Sequence, residues 1–509
     1  MKKFHLFLFA VLLISLFSTC SFLYPLNPWD DANVYMTIGN AMLDGKELYV
    51  DIFDHKGPVL FFLHEWAAML SRNSFVGIWL VEIVCCYFYL LYSLRTMRLF
   101  SSSSLTFPLT LLIGVLTYTS DTFSYGDSVE EFSLPILASS LYQMLCYAKE
   151  RRLPGRFEMS AMGFGVALIF WMKFNLLFFY AGSLPPLLYI AWRRGQVKQF
   201  WSLVLWAAVG FAAVTAFVLA YFALHGTLGA LWESYFLVNI FLYHGVATNG
   251  EPDFWWFKVL KFGAWIVLML PAFFLRVGKD VKFIVVGAFG LLSLSFATLT
   301  VQFYYLLTLF VFFPLFITYT RLEGSEGKVQ ESSPVRRRFW CSAAVVALLA
   351  VSTNWNLVTL LNGTFPHSVL EMAEIINRNE SADSEVLTFS SYDTGIYQHT
   401  RHLPPNKNFF LSSILDPEIK REQAEWVASG KVKYLVREIG AVNTCHDYYD
   451  APVPMNYHLI YDKEELFRYR FATTPLKYLW NLTWPRFLLK GIMDPVTVNQ
   501  RMQVYERRP

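Results

Sequence analysis

Charge is what this chain has least of. Only 16% of its 509 residues are Asp, Glu, Lys or Arg and 55% are hydrophobic, whereas soluble domains are roughly one-quarter charged. That scarcity excludes an ordinary soluble globule and points to a polytopic membrane protein. A net charge of +3 is too small to grip a phosphate backbone, so no nucleic-acid partner is expected. Cysteine is sparse as well. Cys20, Cys85, Cys86, Cys146 and Cys341 lie in apolar segments and Cys445 stands alone in a polar one, which excludes a disulfide framework. No clean small-x-small cleavage site follows the first apolar run, Phe4–Tyr24, so it reads as a retained helix and not as a cleaved leader.

What is present is a series of apolar runs of helix length. They fall at roughly 4–24, 73–94, 103–120, 132–148, 158–173, 174–192, 200–222, 255–275, 283–300, 301–320 and 340–361, which makes about eleven spans on a ~20-residue criterion. The break at Lys173-Phe174-Asn175 is the softest boundary. With the N-terminus in the cytoplasm, Arg95, Arg98, Lys149–Arg156, Arg193–Lys198, Arg276–Lys282 and Arg336-Arg337-Arg338 all fall on the inner side. The outer loops hold few cations, chiefly Lys46, Lys56, Arg72 and Lys173, as the positive-inside rule demands. The first loop (25–72), the loop Asp121–Glu131, the loop 223–254 and the tail from 362 therefore face outward. Segments 30–44 and 58–72 are too polar to span, yet carry apolar residues at helical spacing, and read as helices lying in the interface. In the tail, Glu385–Ser391 and Lys431–Arg437 read as strands, and 366–379 and 416–429 as helices. The expected fold is thus an α-helical membrane domain over 1–361 and a small extracytoplasmic α/β domain over 362–509.

The chemistry concentrates in the outer loops. Asp31, after Asp30 at the start of the first interfacial helix, reads either as a helix cap or as a general base toward a hydroxyl at the membrane surface. Asp54-His55-Lys56-Gly57-Pro58 puts two candidate cations beside a helix N-terminus, a natural phosphate site, with Asp51 and Asp54 as carboxylates that orient His55. The bland alternative is a turn whose Lys and His touch headgroups. Asp127, Glu130 and Glu131 precede a spanning segment and either mark the membrane edge or, with Asp31, bind a divalent ion such as Mg²⁺ or Mn²⁺. Lys173 is a snorkelling anchor or a partner for a lipid-linked phosphate. Glu82 is an intramembrane acid near the outer end of its span, while His244 reads as structural. Arg401-His402-Leu403-Pro404-Pro405 in the tail is placed to reach over the membrane site.

The first-loop pattern Asp31-x-x-Val34-Tyr35, Gly39, Met42-Leu43, Gly45, Tyr49, Asp51, Phe53-Asp54-His55-Lys56-Gly57-Pro58 resembles bacterial members of the glycosyltransferase-C superfamily. That superfamily includes protein O-mannosyltransferases and lipid A aminoarabinose transferases. Glu130 stands at the acidic position of a similar acidic-x-x-x-Leu-Pro segment, and Lys173 at the matching outer turn. Many relatives carry Pro-His-Tyr before the tenth span, where this chain reads Phe303-Tyr304-Tyr305. The resemblance implies Asp31 as the catalytic base and a polyprenyl-phosphate-linked sugar as the donor. It also implies a bacterial inner membrane with the tail periplasmic. The site set it implies is Asp31 and Glu130 as catalytic and His55, Lys56, Lys173 and Arg401 as phosphate-binding, with Tyr49, Asp51, Asp54 and Glu131 in support. The acceptor is a glycan, a lipid or a protein. A secondary transporter would be expected to show repeats and helices broken at the midplane. An outer-leaflet polymerase or ligase would be expected to carry a large basic central loop.

Overall fold

The computed structural model describes residues 2–242, 277–297, 303–321, 333–363, 365, 367–378, 385–389, 391–400, 402–410, 417–439, 452–468 and 497–508. The span expected over 255–275, His244 and Arg401 lie outside them. Nine helices open the chain: α1 Lys2–Phe17, α2 Asp30–Leu43, α3 Pro58–Leu70, α4 Val76–Phe100, α5 Thr106–Tyr118, α6 Val129–Glu150, α7 Arg156–Lys173, α8 Phe178–Arg193 and α9 Val197–Leu224. Helical stretches at Trp232–Leu242, Lys279–Ala297, Phe303–Arg321, Ser333–Thr353 and Trp355–Asn362 follow. The first of these falls in what the sequence reads as a plain outer loop.

Among the described residues, three runs are long and apolar enough to cross a bilayer: Val76–Phe100, Arg156–Arg193 and Val197–Leu224. A fourth, Cys341–Ser352 with Trp355–Leu361, is bent by 57°. The 38-residue run reverses at a 3₁₀ turn, Phe174–Leu177, where the sequence shows its soft boundary. Lys173, closing α7, bonds Glu130 in the first turn of α6. Arg194, just past α8, bonds the carbonyls of Tyr147 and Ala148 at the far end of α6. The two halves therefore run in opposite directions along α6. Arg193 and Arg194 also converge on Asp280, which ties α8 to Lys279–Ala297 at the end of the bundle where the basic loops gather.

Helix α7 packs against α9 with almost no gap. A Cβ at Gly163 would sit 1.8 Å from the carbonyl oxygen of Ala207, and one at Gly210 1.8 Å from that of Ser160. Ser160 Oγ uses the approach to donate to the Trp206 carbonyl at 3.0 Å. Small residues at such a crossing let backbones meet where apolar burial alone offers little drive.

Helix α2 is not a surface helix. From Ala32 to Met42 every residue but Asn40 is buried, polar Asn33 and Thr37 included. Helix α3 covers one side of it, and the loop before the short helix Ile396–Thr400 covers the other. Thr37 Oγ1 donates to Asp393 Oδ2 at 2.6 Å, and the Gly395 amide donates to Asp393 Oδ1 at 2.9 Å. Beyond that loop lies a four-stranded sheet in the order β1-β2-β4-β3. Its strands are β1 Glu385–Thr388, β2 Val432–Ile439, β3 Tyr457–Arg468 and β4 Thr497–Arg507. β1 and β2 are parallel and the other pairs antiparallel. Helices Ser368–Arg378 and Pro417–Ala428 fall where the sequence places them.

Two outcomes follow from this packing. Gly163→Leu is expected to lower the stability of the detergent-solubilised protein by at least the ~1–3 kcal/mol of ordinary overpacking, because the clash is with backbone; a thermal scan in detergent reads it. Burial pushes the Asp393 carboxyl up to about 6. With its folded value above its unfolded one, its ionisation costs stability at neutral pH, and the cost disappears as pH falls through 6 toward 4. Asp393→Asn keeps both bonds, so it is expected to stabilise the protein at pH 7 by up to ~3 kcal/mol and to flatten the pH dependence between 4 and 6.

Candidate functional site

The candidate site lies where the outer loops meet the head of the bundle, and each of its charges comes from a different piece of chain. Asp31 occupies the first turn of α2. Trp29 stands at the cap position and makes no side-chain capping bond. The Asp31 carboxylate is instead held by two phenols: Tyr35 and Tyr304 both donate to Oδ2, each at 3.4 Å. Its neighbour Asp30 sits in a different environment. Burial, then the charges of Glu438, Asp31 and Asp393, hold the Asp30 carboxyl well above the usual range. Of the two acids, Asp31 is the one turned toward the phenols of the bundle.

The ring faces of Tyr304 and Tyr305 meet a cation. Lys173 Nζ lies 3.5 Å from the centre of the Tyr305 ring and 5.5 Å from that of Tyr304, and donates to Glu130 Oε1 at 2.6 Å. Glu130 itself is buried. The residues that replace the relatives' Pro-His-Tyr thus place a phenol on Asp31 and a ring face under Lys173. Sequence reasoning notes them only as a departure.

The Asp54–Pro58 turn is anchored at both ends. The Gly57 amide donates to the Met172 carbonyl at 3.1 Å. A Cβ on Gly57 would lie 2.0 Å from the Trp171 carbonyl oxygen, so only glycine fits against the end of α7. Tyr49, in a left-handed conformation (φ 68°), donates to the Lys56 carbonyl at 2.5 Å, and Asn239 donates to that of His55 at 2.6 Å. Pro58 opens α3. The amides of His55, Gly57 and Leu60 bond Asp54, Met172 and Gly57 within the protein. Lys56 Nζ lies 5.6 Å from the centre of the Tyr35 ring. His55 Nδ1 is 2.8 Å from Asp54 Oδ1. Burial and the Lys56 charge lower the His55 pKa against the pull of Asp54, so at neutral pH it is a neutral hydrogen-bonding group and not a second cation. Burial raises Asp54, but Lys56, His55 and two hydrogen bonds outweigh it and hold the carboxyl below the usual range. Asp51 does not join them: its Oδ2 accepts from the Glu47 amide at 2.8 Å.

Behind this front row is a second layer in which sequence reasoning noted Glu82, Asp127 and Glu131 but missed His64 and Ser18. His64, fully buried on α3, lies 2.8 Å through Nδ1 from the Leu60 carbonyl and 3.0 Å through Nε2 from Asp127 Oδ1. The Asp127 amide donates to Glu82 Oε1 at 2.8 Å and to Glu131 Oε2 at 3.1 Å. Ser18 donates to Glu82 Oε2 at 2.7 Å. The acids of the second loop are therefore partnered by Lys173, His64 and backbone amides. Among the described residues no three His, Cys, Asp or Glu side chains gather as ion ligands. Glu130 and Asp127 are already engaged by Lys173 and His64, so the divalent ion weighed from the sequence finds no ligand cluster among these residues.

No protein-family model matches the chain, and no curated protein matches it. Solved structures do. The crystal structure of ArnT from Cupriavidus metallidurans bound to undecaprenyl phosphate superposes with a TM-score of 0.53 over 85% of this chain and 92% of that one, at 11% identity. That likeness shows that this chain shares the fold of the ArnT structure, and at this identity it speaks to the fold alone.

Proposed function

We propose that the chain is a membrane glycosyltransferase that moves a sugar from a polyprenyl-phosphate donor to an acceptor hydroxyl at the outer face of the membrane. The observation that carries this reading is that Asp31 and Lys173 both meet Tyr304, Asp31 at its hydroxyl and Lys173 over its ring and that of Tyr305. A proton acceptor and a cation are thus brought to one side chain from different helices. That is what displacement of a phosphate by a hydroxyl needs. The fold supports the reading, since the ArnT structure holds undecaprenyl phosphate.

In this mechanism Asp31 takes the proton of the acceptor hydroxyl as its oxygen attacks the anomeric carbon. The bond from that carbon to the phosphate oxygen breaks, and the polyprenyl phosphate leaves with the electron pair. Lys56 and Lys173 meet the departing charge, with His55 as a neutral donor; Arg401 in the tail, outside the described residues, is assigned to the same phosphate by the resemblance. A single displacement inverts the anomeric configuration. Phosphate leaves readily, so positioning and charge supply most of the rate. Glu130 aims Lys173 and is second in line as base; Tyr49, Asp54 and Glu131 hold the turn and the second loop. The same reading places about eleven spans over 1–361 with the N-terminus inside a bacterial inner membrane. It makes 362–509 a periplasmic domain that covers the site and helps to select the acceptor.

Asp31→Asn is expected to cut transfer from a polyprenyl-phosphate sugar by about 10²–10⁴-fold without a change in thermal midpoint. A fully active variant would move the base elsewhere, with Glu130 next. Wild-type protein that cleaves no donor from a panel of such sugars, even with membrane extract as acceptor, would overturn the transferase reading. Lys173→Met is expected to lose transfer and also a few kcal/mol of stability, because Glu130 is left buried and charged. Adding Glu130→Gln should restore the thermal midpoint but not the activity; recovery of both would make Lys173 purely structural.

A further inference from the structure

The mechanism above uses two groups of residues that no short stretch of chain connects. Asp31, Tyr35 and Lys56 come from the first outer loop, and Glu130 and Lys173 from the second loop and the α7 turn. We infer that the buried His64–Asp127 contact is the strut that holds these two halves in register, making His64 and Asp127 positioning residues for Asp31. This rests on the transferase reading for its consequence, but on geometry for its existence.

The hydrogen-bond inventory constrains the pair. The Leu60 carbonyl can only accept, so His64 Nδ1 carries a proton. Nε2 then meets Asp127 either as a donor to a carboxylate or as an acceptor from a carboxylic acid. In both arrangements one proton lies between the two rows of atoms and the pair is neutral overall, which lets it be fully buried. His64 cannot rotate without breaking one of the two bonds.

What this fixed ring supports is Tyr35. The His64 and Tyr35 rings meet edge to face at 5.4 Å, Phe61 meets Tyr35 at 6.2 Å, and Lys56 lies over the Tyr35 ring. The Tyr35 hydroxyl in turn reaches Asp31. On the other side, Asp127 is two residues before α6, whose first turn holds Glu130. Its backbone is in the left-handed region at φ 58°, as is that of Ser124, with Gly126 at φ 94° between them. Non-glycine residues rarely adopt that region, and they keep it where the surroundings demand it. Here the Asp127 amide is held by Glu82 and Glu131 while its side chain is turned to His64. The loop is bent to make this contact.

The test separates packing from positioning. His64→Phe keeps a ring against Tyr35 and removes both bonds; His64→Gln offers an amide donor to Asp127 again. In purified full-length protein, His64→Phe is expected to lower kcat by about 10²-fold with little change in donor KM, and His64→Gln to recover a substantial part of it. His64→Phe combined with Asp127→Asn should be no worse than the poorer single variant. Unchanged kcat in folded His64→Phe, or no rescue by Gln, would overturn the inference. A second readout does not need activity: amide hydrogen exchange in wild type and His64→Phe. Faster exchange in both 55–64 and 124–131 supports the strut even if no donor is ever turned over, in which case the transferase reading falls alone. Exchange unchanged in 124–131 overturns the strut whatever the activity.

Discussion

A carboxylate buried at the edge of a bilayer has to be met by an opposite charge, a hydrogen-bond donor or a proton, because the cost of leaving it bare exceeds the stability of most domains. The outer end of this protein is organised by that requirement. Glu130 is met by Lys173 from α7, Asp127 by His64 from α3, Glu82 by Ser18 from the start of the first loop, and Asp54 by its neighbours His55 and Lys56. Since the partners of Glu130, Asp127 and Glu82 lie on other elements, satisfying these acids also assembles the head of the bundle. The same contacts leave Asp31 with two phenols and no cation among its hydrogen-bond partners in the described residues.

The tail is part of this arrangement. Its loops bond the first loop at three levels. Asp393 takes the Thr37 hydroxyl, the Pro404 carbonyl takes Lys46, and the Lys407 carbonyl takes the Phe53 amide directly before Asp54-His55-Lys56. The α2 helix, polar enough to lie on a surface, is thereby enclosed. Two of its residues, Asn33 and Thr37, are buried polar groups whose partners include the tail. Tail and helical body therefore share one seam along α2, the helix that also carries the proposed base.

Much of the membrane body was legible in the chain. Apolar runs placed α4, α6, α7 and α9, the soft boundary at Lys173-Phe174-Asn175 is where the 38-residue run turns back, and the two polar segments of the first loop are α2 and α3. Several expectations needed correction. The helix α2 is enclosed where the interface was expected, Trp232–Leu242 is helical where a loop was expected, Asp51 stands apart from His55, and burial with the Lys56 charge lowers the His55 pKa where a second cation was expected. β3 and β4 were not legible at all. Tyr457–Arg468 and Thr497–Arg507 are rich in charged and polar residues, and they become strands by pairing with each other and with β2 across long separations.

Hydropathy, turn chemistry and the close spacing of Asp54, His55, Lys56, Gly57 and Pro58 are local properties, so the sequence by itself determined the membrane class, most helices and the composition of one active turn. Which side chains meet was decided by the tertiary structure alone. His64 and Asp127 are 63 positions apart, Tyr304 and Asp31 are 273 apart, and Thr37 and Asp393 are 356 apart. No periodicity or propensity reports on contacts of that span, because their energy depends on where packing of the intervening helices brings two groups and on how little water remains between them.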